Sequence, residues 1–166
     1  ARVALVHADL RKPAMAGGGL LLVVLLASPG WDPVLLHSGL YRSLRKPVES
    51  VESFRRQAEG AKFLMVQDDS EASVSVVENE LGIRLLRVNG KSDASNSGDV
   101  PTQLMVGHLP LLFHAEPKRV LVVGLGSGIS VGGVLTHPSV ERVDVIEISP
   151  AVVAGSRHFD AWSGAP

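Results

Sequence analysis

Apolar and polar positions divide this chain into stretches of different period. Residues 14–28 are almost wholly apolar, lying between Pro13 and Pro29 with Arg11 and Lys12 on one flank. The run falls short of the roughly 20 residues that span a bilayer, and its three consecutive glycines weaken a helix. A membrane-region remnant, a signal-like segment and a buried helix all fit it. Trp31-Asp-Pro is a turn signal, and Leu35, Leu36, Leu40 and Tyr41 form a short apolar stretch broken at Gly39. Beyond Pro47, Val51, Phe54 and Ala58 lie at helical spacing, with Ser50 as the expected cap and Gly60 as the stop.

From Lys62 the period shortens. Three β-rich runs, around Phe63–Gln67, Val74–Val77 and Ile83–Val88, are separated by polar clusters and closed by Asn89-Gly90. This pattern predicts a small antiparallel sheet. Ser92 to Asp99 is polar and turn-rich and reads as a loop, either a solvated connector or a ligand-facing segment. A helix is expected next, with Asp99 as cap and Pro101 in the first turn, then Leu104, Met105, His108 and Leu112 at helical spacing. Pro110 should kink or end it. His108 reads either as a core-edge histidine holding a backbone carbonyl or as a catalytic group.

Val120 to Val123 is a continuous apolar run, the signature of a strand buried on both faces. Gly124-Leu-Gly-Ser-Gly follows, then a helical stretch, then a second apolar strand from Arg142 with Glu147 near its end. This is the opening βαβ of a nucleotide-binding sheet. A dinucleotide fingerprint places its third glycine one position later, where this chain has Ile129. The tighter spacing suits an uncharged nucleoside with an amino-acid tail, and Glu147 is placed to accept from both ribose hydroxyls. An S-adenosyl-type ligand, a nicotinamide dinucleotide and glycines serving only close packing are the alternatives.

Composition narrows the field slightly. The 45% apolar and 20% charged content is that of a globular domain, and the net charge of −1 implies no bulk attraction to nucleic acid. The absence of cysteine excludes disulfides, thiolate metal sites and a cysteine nucleophile. No metal site is expected. The chain starts at Ala1 and stops soon after its second parallel strand, so the natural polypeptide is expected to extend past Pro166 and to begin before Ala1.

Taken in order, Val88-Asn-Gly-Lys, Gly98-Asp-Val-Pro-Thr-Gln-Leu-Met-Val-Gly-His-Leu-Pro-Leu, Val120-Leu-Val-Val-Gly-Leu-Gly-Ser-Gly, His137-Pro-Ser-Val-Glu and Ile146-Glu-Ile-Ser resemble the spermidine synthase (polyamine aminopropyltransferase) family. The likeness spans roughly residues 31 to 160 and points to the membrane-fused branch, in which transmembrane helices precede the synthase-like domain. It implies an α/β fold: a small N-terminal antiparallel β-domain, then the start of a Rossmann-like parallel sheet of the S-adenosylmethionine methyltransferase type. The expected layout is an apolar segment at 1–30, a helix plus β-domain at 31–99, and an incomplete nucleoside-binding domain at 100–166. The implied reaction moves an aminopropyl group from decarboxylated S-adenosylmethionine to a polyamine acceptor and releases methylthioadenosine. These are co-substrates, with no tightly bound cofactor.

By resemblance, Gly124, Gly126 and Gly128 form the nucleoside turn, Glu147 holds the ribose, and Gln103 faces the shared cleft. The departures concern the amine. The family's turn usually carries an aspartate that holds the aminopropyl amine, where this chain has Ser127; a tyrosine lining the amine site becomes Thr102, its acidic neighbour becomes Leu104, and a β-domain glutamine becomes Asp93. The family's catalytic aspartate lies on a later loop, beyond Pro166, so these residues alone are expected to be inactive. A methyltransferase on the same fold and a non-catalytic nucleoside- or polyamine-binding domain of a membrane protein are the alternatives. Membrane association with a cytoplasmic synthase-like domain is the expected location, a soluble cytoplasmic protein the alternative. A homodimer is an open expectation.

Overall fold

The computed structural model describes residues 11–28, 32–39 and 50–164. The chain divides into two units, Ala1–Trp31 and Asp32–Pro166. Ala1 to Leu10, Trp31, Leu40, Tyr41 and Pro47, on which several expectations fell, lie outside the described residues.

The first unit contains α1 (Arg11–Ala27), a helix of 17 residues that continues through Gly17, Gly18 and Gly19. Each glycine costs about 1 kcal/mol against alanine in a helix, and the seven aliphatic side chains from Leu20 to Leu26 follow directly. No helix among the described residues is long and apolar enough to cross a membrane. The expected membrane association therefore has no spanning helix behind it here.

In the second unit, α2 (Pro33–His37) and α3 (Val51–Glu59) precede the sheet. Ser50 caps α3 as expected, in a reciprocal box: its hydroxyl accepts from the Ser53 N–H, and the Ser53 hydroxyl accepts from the Ser50 N–H, both at 3.1 Å. Gly60 ends the helix. Four strands then form an antiparallel sheet in sequence order: β1 (Ala61–Asp68), β2 (Ser73–Asn79), β3 (Arg84–Val88) and β4 (Lys91–Ser95). The fourth strand corrects the loop expected from Ser92 onward. Asn89 and Gly90, at φ 50° and 72°, form the tight turn that returns the chain against β3. The buried positions of β4 are Ala94 and Ser95, small residues that leave no hydrophobic signature.

The parallel part comprises α4 (Val100–Phe113), β5 (Arg119–Val123), α5 (Ile129–Leu135), β6 (Arg142–Ile146), α6 (Pro150–Ser156), a 3₁₀ turn (Arg157–Phe159) and α7 (Asp160–Ser163). β5 and β6 pair in parallel, Arg119 opposite Arg142 and Val123 opposite Ile146. Among the described residues this sheet has two strands, and Leu121 and Val123 are 59% and 79% exposed. The expectation of burial on both faces is thus corrected, for no described strand pairs beyond β5 or β6. Helix α4 runs through Pro110, and its buried residues are Gly107 and Leu111, while Met105 and Leu112 are exposed. A Cβ at Gly107 would stand 2.4 Å from the Ser130 carbonyl oxygen, so the glycine is what lets α4 lie against α5.

One core holds the antiparallel sheet to the parallel part. Val74, Val76, Leu86 and Ala94 from the sheet meet Ala151 and Val152 of α6 and the fully buried Phe159. Gly155 permits the approach, since a Cβ there would come within 2.9 Å of Leu86 Cδ1. Arg84 reinforces the junction. Its Nη1 donates to the His158 carbonyl at 2.6 Å, its Nε donates to Glu78 at 2.7 Å, and its guanidinium lies 5.4 Å from the Trp162 ring centre.

Candidate functional site

Strand β5 runs directly into Gly124-Leu-Gly-Ser-Gly, and all three glycines adopt left-handed backbone, at φ 90°, 55° and 80°. Residues with a Cβ resist this region by roughly 1–2 kcal/mol. The turn is tied to the neighbouring strand, Gly124 N donating to the Ile146 carbonyl at 2.7 Å. The glycines divide by surroundings. A Cβ at Gly124 or Gly126 would meet no atom within 4 Å, whereas one at Gly128 would lie 3.4 Å from Ser163 Cβ. Packing within the protein therefore demands a glycine at none of the three; the left-handed backbone favours glycine at each, and Gly124 and Gly126 also leave open space beside them.

Glu147 follows β6 and faces the turn. Its Oε2 accepts from the Leu125 N–H at 2.8 Å, and its Oε1 accepts from the Ser149 N–H at 3.0 Å. An ionised carboxylate offers about four acceptor positions, so each oxygen retains capacity for one further donor. The carboxylate is fixed in place by backbone and still able to accept from a ligand.

Beside it opens a cavity of about 300 Å³ lined by both parts of the unit. Leu86, Val88, Ile148 and Val152 supply apolar surface; Glu71, Asn89, Asp93, Glu147 and Ser149 supply polar groups; Gly126 and Ala72 complete the wall. Among the described residues no basic side chain lines it. Asp93, on β4, pairs with Lys91 at 2.8 Å, the aspartate being 35% and the lysine 59% exposed.

Among the sequence-predicted residues, Gly126, Glu147 and Asp93 thus share one cavity. Ser127 and Gln103 lie off its lining and join each other instead. Ser127 is 3% exposed, and its hydroxyl donates to Gln103 Oε1 at 2.5 Å. The same oxygen accepts from the Ile129 N–H at 3.3 Å, holding the first turn of α5. Gln103 Nε2 in turn donates to the Ser95 carbonyl at 2.8 Å and to Asp99 Oδ2 at 3.0 Å. Asp99 stands at the cap position of α4 without capping it. Its carboxylate accepts instead from the backbone N–H and hydroxyl of Ser95 as well as from Gln103, which corrects the capping expectation. Thr102 is exposed on α4, away from the cavity. His108 meets neither a carbonyl nor a carboxylate through Nδ1. That nitrogen lies 2.8 Å from His137 Nε2, joining α4 to the turn after α5.

Sequence reading missed Asp69. Its Oδ1 accepts from the Glu71 and Ala72 N–H groups, both at 2.8 Å, and its Oδ2 accepts from the Ser149 hydroxyl at 2.6 Å and the Ala151 N–H at 3.0 Å. The Ser149 hydrogen bond, followed by these backbone donors, holds the carboxyl well below the usual carboxylate range. Asp69 therefore clasps the β1–β2 turn onto the start of α6, beside the cavity wall. The Asp-Ser-Glu cluster signalled the turn; the partner 80 residues away had no local signal.

Residues 100–159, which carry α4, the glycine turn and Glu147, match the family described as spermine/spermidine synthase domain. Over these residues the chain is similar to the spermine/spermidine synthase family. It is 34% identical over 108 residues to the polyamine aminopropyltransferase of Thermoanaerobacter sp. (strain X514), covering 65% of this chain and 39% of that protein. It is 32% identical over 108 residues to putrescine N-methyltransferase 2 of Nicotiana attenuata, covering 65% of this chain and 29% of the relative. The crystal structure of spermidine synthase from Thermotoga maritima superposes with a TM-score of 0.57 at 25% identity, over 62% of this chain and 36% of that one. A spermidine synthase in complex with the transition-state analogue AdoDATO gives the same TM-score of 0.57. The chain spans 39% or less of the length of these proteins.

Proposed function

We propose that this chain forms the donor-binding part of a spermidine-synthase-like transferase. The glycine turn and Glu147 hold the nucleoside of decarboxylated S-adenosylmethionine, and the antiparallel sheet closes the site through Leu86, Val88 and Asp93. The observation that carries the reading is the shared cavity of Gly126 and Glu147. There the turn presents backbone without side chains, and a fixed carboxylate keeps two acceptor positions for ribose hydroxyls. A 2′-phosphate would be repelled by that charge. The resemblance of these residues to aminopropyltransferases, and of the fold to a spermidine synthase that binds a transition-state analogue, supports the same ligand class.

In the reaction proposed, the lone pair of an acceptor amine attacks the carbon next to the sulfonium. The carbon–sulfur bond breaks, its electrons return to sulfur, methylthioadenosine leaves, and the new ammonium loses a proton to a base. Sulfur already carries the positive charge, so the protein contributes alignment of nitrogen, carbon and sulfur together with that base. By the family resemblance, the base comes from a segment downstream of Pro166.

A methyltransferase is the second reading, favoured by Ser127 in place of the turn's usual aspartate and by the similarity to putrescine N-methyltransferases. Incubating the full-length protein with putrescine and either donor separates the two. Methylthioadenosine from the decarboxylated donor signals aminopropyl transfer; S-adenosylhomocysteine from the intact donor signals methylation. Nucleoside binding with neither product would sink both and leave a binding domain. For residues 1–30 the reading we hold is membrane association, tested by co-flotation of the full chain with lipid vesicles.

A further inference from the structure

We infer that Asp93, on β4, holds the terminal ammonium of the donor, in place of the glycine turn. The inference rests on the nucleoside reading above and extends it to the donor's tail. Position 127 is withdrawn from the ligand: Ser127 is buried, its hydrogen is donated to Gln103, and its oxygen receives the Ile129 N–H. The Gln103 amide cannot turn round to release it without setting its oxygen against Asp99 and the Ser95 carbonyl, which now receive its N–H groups. A carboxylate at 127 would set its oxygens against the Gln103 oxygen that now accepts from Ser127.

Asp93 lies on the same cavity as Gly126 and Glu147, reaching it from the antiparallel sheet. Among the described residues its carboxylate has one ionic partner, Lys91, on an exposed flank where such a pair contributes little. An ammonium arriving from the cavity can replace that lysine at small cost. The lining also sets the charge of the ligand. With Glu71, Asp93 and Glu147 present and no basic side chain among the lining residues, the cavity favours a tail that is only cationic and disfavours one bearing a carboxylate. A decarboxylated sulfonium nucleoside fits this description; an intact amino-acid tail does not.

Calorimetric titration of the full chain with methylthioadenosine, decarboxylated S-adenosylmethionine and S-adenosylmethionine tests it. Wild type should prefer the decarboxylated donor over both others. Asp93→Asn should reduce its preference over methylthioadenosine by roughly tenfold or more, the worth of one charge-assisted bond. Lys91→Met, which removes the competing cation, should leave that preference equal or larger. An unchanged preference in Asp93→Asn, or a reduced one in Lys91→Met, overturns the assignment. If methylthioadenosine itself fails to bind wild type, the nucleoside reading falls and takes this inference with it.

Discussion

Replacing Gly126 by alanine separates a ligand-facing glycine from a structural one. The residue sits at φ 55°, so a Cβ costs roughly 1–2 kcal/mol of backbone strain. No atom lies within 4 Å of that Cβ, so no clash adds to it. Against the 5–15 kcal/mol typical of a folded domain, the variant should remain folded, with a melting temperature a few degrees lower. The same methyl enters the space assigned to the nucleoside, and affinity should fall at least tenfold, about 1.4 kcal/mol. Gly132→Ala provides the opposite case. Its Cβ would stand 1.8 Å from the Ser163 carbonyl oxygen, so α7 must move. That overpacking should cost about 1–3 kcal/mol, with affinity in the folded fraction preserved. The assays are differential scanning calorimetry and titration with methylthioadenosine. A Gly126→Ala protein that binds methylthioadenosine as tightly as wild type would show that the nucleoside does not occupy this space.

Three further outcomes follow from the packing and the clasps. Phe159→Ala removes a fully buried ring where the sheet meets α6 and should cost about 3–5 kcal/mol, read from denaturant midpoints. Asp69→Asn should lower the melting temperature at neutral pH. Because the folded carboxyl is held below its ordinary value of about 3.9, its stabilisation is complete above that value and is lost only as pH falls through the depressed folded one. The difference in melting temperature between wild type and Asp69→Asn should therefore stay constant from pH 8 to 5 and shrink in stronger acid; a difference that changed around neutrality would contradict the assignment. Gln103→Leu should unfasten the turn from α4 by leaving Ser127 without its acceptor, and faster amide exchange at Ile129 is the expected readout.

What the sequence disclosed was local. The Ser50 and Gly60 boundaries of α3, the Asn89-Gly90 turn and the strand–glycine–helix unit at 119–135 depend on residues a few positions apart, and all were legible. Strand β4 was not, because Ala94 and Ser95 are buried without being large or apolar. Asp99 has the residue type and position of a cap, yet Ser95 and Gln103 compete for its oxygens and win. Asp69 depends on a partner at the start of α6, a contact that exists only once the antiparallel sheet has packed on the parallel part, and Ser127 depends on Gln103 of α4, 24 residues away in the chain. The glycine turn and Glu147 were found together because βαβ geometry brings the ends of adjacent parallel strands to one edge. That Asp93 reaches the same cavity from the antiparallel sheet is tertiary information.

The central claim is that Glu147 and the glycine turn hold an adenosyl nucleoside. Titration of the full chain with methylthioadenosine, for wild type and Glu147→Gln, tests it most directly. Binding at one site per chain is expected in wild type, with affinity at least tenfold weaker in the variant, since the amide nitrogen cannot accept from a ribose hydroxyl. Absence of binding to wild type, or equal affinity in the two proteins, would contradict it.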